Sequence, residues 1–427
     1  MKKTILPLAA TTIIASMTCC GKKAATENDV PNYVTVKEGK FYIGDSVYEY
    51  LGTNFWYAPL LASEGEGGDR ERLGKELDKL KELGFDNLRV MVGAEGRTGI
   101  PSHVQPVLQP EPGVYNDTLL AGLDYLMAEL EKRDMRAILF LTNAWEWSGG
   151  YGAYLEWAGM GECPDPVGVG YKEYCDYVSQ FVSNDSAKKM LADHINFIVS
   201  RTNRYTEKPY SQSPAIMAWE IANEPRAFAR DSVTLANFEE WVITTAKQIK
   251  ELDPNHLVAT GSEGAVGCEG DIDLWARIHN APEIDYSIIH IWPANWGWVT
   301  TETLSDSVGT AIQYSKEYID EHAALTNKPL VLEEFGYPRD NRSYEMGSPI
   351  TARDKYYEAV LNYAISSGKV QGINFWAWGG YGKPSHRMWQ PFDQYLGDPA
   401  HEPQGLYSVF LGDSTTVDIL TKAAKRK

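Results

Sequence analysis

The chain alternates between short apolar runs and longer stretches with helical periodicity. Eight runs read as strands: "YEYLGTNFW" (48–56), "NLRVMV" (87–92), "RAILFLT" (136–142), "IMAWEIANE" (216–224), "LVATGS" (257–262), "YSIIHIW" (286–292), "PLVLEEF" (329–335) and "GINFWAW" (372–378). They are near-continuous apolar runs, as strands covered on both faces should be. Amphipathic helices lie between most of them. In 69–84, Leu73, Leu77 and Leu80 recur at helical spacing and the pattern stops at Gly84. The stretch 117–134 repeats this, with Asp117 as its expected N-cap. Residues 186–203, 234–252, 307–325 and 352–367 read the same way.

Strand and helix in alternation predict a parallel sheet. Eight units predict a closed (β/α)8, or TIM, barrel. An open doubly wound sheet is the alternative, but no glycine-rich phosphate loop follows the first strand. Barrels of this kind carry their sites at the C-terminal ends of the strands. Two long, aromatic-rich loops, 143–181 and 379–413, follow strand ends and so belong to that face. Neither a second domain nor an internal repeat is visible.

Composition narrows the chemistry. The 427 residues carry a net charge of −18, which opposes nucleic acid and suits a neutral substrate. Most of that acidity serves solubility. Most of the 13 Trp, 25 Tyr and 12 Phe belong to the core, but many sit in polar, Gly-rich stretches that read as loops, and exposed aromatic faces stack on flat apolar surfaces such as the C–H faces of sugar rings.

The first residues, "MKKTILPLAATTIIASMTCCGKK", have a basic start at Lys2 and Lys3 and an apolar run from Ile5 to Met17. That run is too short to span a bilayer and reads as a signal peptide over 1–20. Cys19 and Cys20 close it, as in a bacterial lipoprotein signal whose cysteine is lipidated; plain secretion is the alternative. Residues 21–32 then form a polar tether and 33–427 the (β/α)8 domain. Membrane contact is expected only through that lipid anchor, facing the periplasm or cell surface, with Lys22 and Lys23 favouring the periplasm. Cys163, Cys175 and Cys268 match no zinc spacing; Cys163–Cys175 is the disulfide the spacing favours in an oxidising compartment.

The strand ends are unusually polar. Asn54, Arg89, Asn143, Asn223 with Glu224, His290, and Glu333 with Glu334 would converge on one rim, with Trp376 and Trp378 on the eighth strand. Two glutamates on different strands suggest paired-carboxylate chemistry, as in glycoside hydrolysis: one carboxyl protonates the leaving oxygen, the other attacks or activates water. Proximity pushes their pKa values apart. No HExxH or other ligand cluster calls for a metal, no cofactor motif is present, and there is no GxSxG.

"WEIANEP" (219–225) followed by "LEEFG" (332–336) resembles glycoside hydrolase family 5, and "YLGTNFWYAP", "NAWEWSGG", "HIWPANWGW", "EEFGYPRD" and "GINFWAWGG" resemble its β-mannanase branch, over residues 40–420. The resemblance implies a retaining endo-β-1,4-mannanase acting on mannan, galactomannan or glucomannan by double displacement. It implies Glu224 as acid/base and Glu334 as nucleophile. Strand periodicity cannot choose between Glu333 and Glu334, although neighbours should point to opposite sides; the family pattern chooses Glu334, before Phe335-Gly336. Arg89 resembles the arginine that keeps the nucleophile ionised, Asn223 the 2-hydroxyl ligand, His290 the histidine near the acid/base, and Trp376 the floor under the cleaved sugar. Trp292 stands where many members have a tyrosine that donates to the nucleophile. Trp56 and Trp145 are further candidate sugar platforms, with Trp147, Trp296 and Trp298; Trp378 is expected beside Trp376. Glu220 reads as a structural carboxylate. The alternatives are another β-1,4-glycanase, namely a cellulase or an exo-β-mannosidase, and a non-catalytic glycan-binding lipoprotein.

Overall fold

The computed structural model describes Met1, residues 32–300 and residues 304–426. The signal peptide and tether expected over 1–32 lie almost wholly outside the described residues.

All eight expected strands form, as one sheet: β1 (Tyr50–Asn54), β2 (Asn87–Met91), β3 (Arg136–Phe140), β4 (Ile216–Glu220), β5 (Leu257–Ala259), β6 (Ser287–Ile291), β7 (Leu330–Phe335) and β8 (Gly372–Phe375). Every ladder is parallel, in the order β5-β4-β3-β2-β1-β8-β7-β6. The two ends, β5 and β6, meet through backbone bonds from Asp285 N to Val258 O at 2.8 Å and His290 N to Glu263 O at 3.3 Å. The sheet is a (β/α)8 barrel, and every residue of its eight strands is buried.

One helix follows each strand: α1 (Arg70–Leu83), α2 (Asp117–Lys132), α3 (Asp185–Val199), α4 (Ser232–Leu252), α5 (Ile272–Asn280), α6 (Val308–Ala323), α7 (Thr351–Ser366) and α8 (Ser414–Ala424). Asp69 caps α1 by accepting from Arg72 N, and Gly84 ends it at φ 88°, a left-handed turn that glycine adopts without a Cβ clash. The N-cap of α2 is Asn116, not Asp117: the Asn116 side chain accepts from Thr118 N, and Asp117 is the first helical residue. There its carboxylate faces the positive end of the helix dipole and pairs with Arg204 at 2.7 Å. The loop 143–181 carries helices of its own, Gly150–Trp157, Pro166–Val169 and Tyr171–Val178.

An antiparallel meander, Val34–Lys37, Lys40–Ile43 and Ser46–Val47, precedes β1. Val34 and Phe41, fully buried, join Tyr50, Tyr286, Ile138, Met217 and Val331 in a cluster inside the lower barrel. Phe41 packs edge-on against Tyr286, ring centres 5.4 Å apart. Cys163, Cys175 and Cys268 are free thiols, so the disulfide favoured by spacing is not formed.

Candidate active site

β2, β4, β6 and β7 deliver the polar side chains to one place. Arg89, on β2, is wholly buried. Its Nε donates to Glu220 at 2.9 Å, Nη1 to Glu334 at 2.5 Å and to Asn54 at 3.2 Å, and Nη2 to Asn223 at 3.0 Å. Burial opposes its charge, but Glu220, Glu333 and Glu334 outweigh burial and raise its pKa. Arg89 is therefore a fixed cation that orients the tips of three other strands.

Glu224 lies just beyond β4 in a left-handed backbone conformation, φ 49°, sparsely populated for a non-glycine residue. Its amide donates to Gly261 O at 2.9 Å. The carboxylate is held from two sides: Trp145 Nε1 donates to Oε2 at 2.6 Å, and His290 Nδ1 lies 2.9 Å from Oε1. Glu334 receives the Arg89 bond on Oε1, and the Trp292 indole N–H donates to Oε2 at 3.0 Å. His290 Nδ1 also lies 3.4 Å from Glu334 Oε2. One polar atom from each of Glu224, His290 and Glu334 lies within 4.8 Å of the others. Among the described residues this trio is the group spaced to ligate a cation, although the Arg89 charge opposes one. The carboxyls of Glu224 and Glu334 are both pushed up, first by burial; for Glu334 the Glu224 charge adds to this, while Arg89 and Trp292 pull it back. Burial and then Arg89 push the His290 pKa well down, leaving a neutral imidazole.

These groups open into a cavity of about 690 Å³ walled by Trp145, Trp147, Trp292, Trp296, Trp298 and Trp376. Trp376 and Trp292 meet edge-on at 5.8 Å. Asn223 also lines the cavity and donates to Asn143 Oδ1 at 3.1 Å. Arg89, Asn54 and Glu220 lie beneath it.

Two expected platforms are elsewhere. Trp56 is fully buried; its indole donates to Gly397 O at 2.8 Å, and Trp147 and Tyr395 pack edge-on against it. The segment after β8 folds over it, so it offers no face to a sugar. Trp378 is fully buried beside Phe85 and donates to Glu76 Oε2 at 2.8 Å. The expectation from strand parity fails because β8 ends at Phe375, and Trp378 begins a separate short strand, Trp378–Gly380, paired with Val409–Phe410. Glu333 and Glu334 do not diverge either. A register shift between Leu332 and Glu334 turns both toward Arg89, at 3.4 and 2.5 Å.

Sequence reasoning missed further lining residues. Arg226 pairs with Glu263 at 2.5 Å and lies 5.4 Å over the Trp145 ring. Glu263 also accepts from Trp296 Nε1 at 3.2 Å. His401 and Glu402 close the cavity from the loop after β8. Arg226, two residues past Glu224, could have been found by its place in the motif; the rest had no local signal.

Comparison with known proteins adds the family. Mannan endo-1,4-beta-mannosidase 4 of Solanum lycopersicum is 30% identical over 289 residues, 65% of this chain and 68% of that protein. Mannan endo-1,4-beta-mannosidase 1 of Arabidopsis thaliana is 27% identical over 350 residues, 78% of each. A glycoside hydrolase family 5 mannosidase of Rhizomucor miehei, a mutant in complex with mannosyl-fructose, superposes with a TM-score of 0.84 at 33% identity, covering 93% of this chain and 97% of that one. The model of the family 5 beta-mannosidase-like glycoside hydrolases matches residues 31–427, and the chain belongs to that family.

Proposed function

We propose that the protein hydrolyses β-1,4-mannosidic bonds with retention of configuration, using Glu334 as nucleophile and Glu224 as acid/base. The observation that carries this is the short gap between the two carboxylates, within 4.8 Å at their nearest ligating atoms, inside an aromatic cavity. Retaining enzymes need about 5–5.5 Å, whereas inverting ones leave room for water at about 6.5–9.5 Å. Glu334 takes the direct Arg89 ion pair and the Trp292 hydrogen bond, and this reading assigns it the charge and assigns the proton the pair shares to Glu224.

In the first step Glu334 attacks the anomeric carbon and Glu224 gives its proton to the departing oxygen. Neutral His290 and the Trp145 indole keep the Glu224 carboxyl aimed at that oxygen. Glu224, now ionised, takes a proton from water, which attacks the glycosyl–enzyme bond and frees Glu334. Asn223, fixed by Arg89 and Asn143, is placed to hold the sugar 2-hydroxyl as the oxocarbenium character grows. The relatives named for mannan or mannosides support mannan over cellulose.

One observation favours attack on chain ends over internal cleavage. Pro399, His401 and Glu402 wall one side of the cavity, and among the described residues no side chain from the turns after β1 and β2 lines it. Tyr395 and Gly397 cover Trp56, where a longer groove would have continued.

Proton NMR of the products of mannohexaose tests both points. A β-anomer formed first supports retention, and an α-anomer refutes it. Mannose as the sole early product supports terminal attack; mannobiose and mannotriose together support endo action. Glu334→Gln should abolish turnover and preserve oligosaccharide binding, a result that also separates catalysis from glycan binding alone. We further propose export with a lipid on Cys19 or Cys20; fatty-acid labelling that survives the Cys19→Ser, Cys20→Ser double variant would refute it.

A further inference from the structure

Beneath the catalytic pair lies a second pair of carboxylates, Glu220 on β4 and Glu333 on β7. Both are fully buried. They share the Nε of Arg89, which lies 2.9 Å from Glu220 Oε2 and 3.4 Å from Glu333 Oε2. Only the first of these is a hydrogen bond by distance. Neither Glu333 oxygen accepts from any N–H or O–H among the described residues, and Glu220 Oε1 lacks a donor as well. Two anions at this depth sharing one cation, which Glu334 also engages, would be far more costly than one. Glu333 and Glu220 converge on Arg89 Nε, and one proton carried by Glu333 and donated to Glu220 pairs an oxygen of each, leaving one of the three orphaned oxygens, on Glu333, beside Arg89 and His290. Two carboxylates sharing a site hold a proton for this reason.

We propose that Glu333 is a neutral carboxylic acid that donates to Glu220, so that the barrel interior below the active site holds one negative charge and Arg89 is left free to serve Glu334. The other groups that face it agree. His290 Nε2 lies 3.6 Å from Glu333 Oε2 and belongs to a neutral ring. Tyr50 and Tyr286 are buried hydroxyls with raised pKa, so they carry no charge. The single cation is Arg89, and its countercharges are Glu220 and Glu334. Burial first, then the Glu220 charge, push the Glu333 carboxyl well above the usual range.

The function is positioning. A charged Glu333 would draw the guanidinium away from Glu334 and, as an anion next in sequence, raise the nucleophile's pKa. The β7 register shift that turns Glu333 inward therefore also sets the charge of Glu334. This inference rests on the proposed roles of Glu334 and Glu224, but its test reads protonation directly.

The test is infrared spectroscopy at neutral pH in the Glu224→Gln background, where the acid/base contributes no carboxyl proton. Glu95, Glu146 and Glu402 also hold protons near neutral pH, so the reading is a difference spectrum: one protonated-carboxyl C=O band of the background is expected to be lost when Glu333→Gln is added. It should also vanish with Glu220→Gln, because Glu333 then ionises as the Arg89 countercharge. A purely structural role for Glu333 predicts no such response to a change at Glu220. A difference spectrum without a lost protonated-carboxyl band, for either double variant against the background, overturns the proposal. In the otherwise unmodified enzyme, Glu333→Gln should leave the acidic limb of kcat/KM in place. A limb moved down by about one pH unit or more would mean that a charge had been removed, and would also overturn it. Turnover by Glu334→Gln would defeat the nucleophile assignment and leave the infrared result standing.

Discussion

The indole of Trp292 donates to Glu334 at 3.0 Å, and its ring passes so close to Gly336 that an added Cβ would lie 2.8 Å from it. Both contacts belong to one device: a residue with no side chain lets a bulky donor reach a carboxylate. Trp292→Phe should lower kcat/KM by about 10–100-fold, the range for a bond to a charged group. Because the indole lowers the Glu334 pKa, its loss should also move the acidic limb of the pH profile upward. Gly336→Ala should produce a weaker version of both effects with little change in melting temperature; an unchanged limb would show that the ring had not moved. At this scale the sequence was informative where polar residues sit at strand tips, as with Arg89, Asn223, His290 and Glu334. It misled at Trp56, whose cover comes from Gly397, 341 positions away. It was silent on Glu263 and Glu402, which reach the cavity from loops with no periodicity.

Elements were legible in proportion to their length. The long amphipathic helices α1, α2 and α4 announce themselves, whereas α5, nine residues from Ile272 to Asn280, is too short for its period to stand out. The bulge in β7 is invisible in "LVLEEF", yet it decides that Glu333 and Glu334 both face Arg89. The loop after β8 shows how a segment without regular structure is fixed. Asp398, wholly buried, accepts from the amides of Gly405 at 2.7 Å, Tyr407 at 2.6 Å and Ser408 at 3.2 Å, and from the Ser408 hydroxyl. Asp398→Ala leaves those donors buried and unpaired, at a cost of about 3 kcal/mol. Its melting temperature should fall. If the wall at His401 and Glu402 loosens with it, early products from mannohexaose should lengthen. A normal product pattern in a destabilised variant would show that the wall is held by other contacts.

The molecule as a whole carries several buried acids with raised pKa besides Glu224 and Glu334. Burial first lifts Glu95 to about 8, Glu402 to about 8 and Glu146 to about 7. An acid whose folded pKa exceeds its unfolded value favours the fold while protonated. That advantage is complete below the unfolded pKa and is lost as pH rises toward 7 and 8. Stability should therefore decline from mildly acidic to mildly basic pH. Glu95→Gln should flatten the decline, by about 1 kcal/mol or more at the basic end; parallel thermal curves for variant and wild type would refute this. The net charge of −18 makes a different prediction. A neutral glycan does not feel that field, so KM should stay constant over about a tenfold range of salt. The barrel itself was readable from eight apolar runs. The loop 379–413 was legible as part of the strand-end face, but what it covers was not, because that depends on its folding over residues from the opposite end of the chain.

The meander before β1 seals the far mouth of the barrel with Val34 and Phe41. With apolar side chains covering that mouth among the described residues, deuterium from bulk solvent is expected to reach the acids around Arg89 from the sugar side. A bound oligosaccharide acts as a stopper, so isotope exchange at those interior protons should slow on occupancy even though no ligand atom touches them.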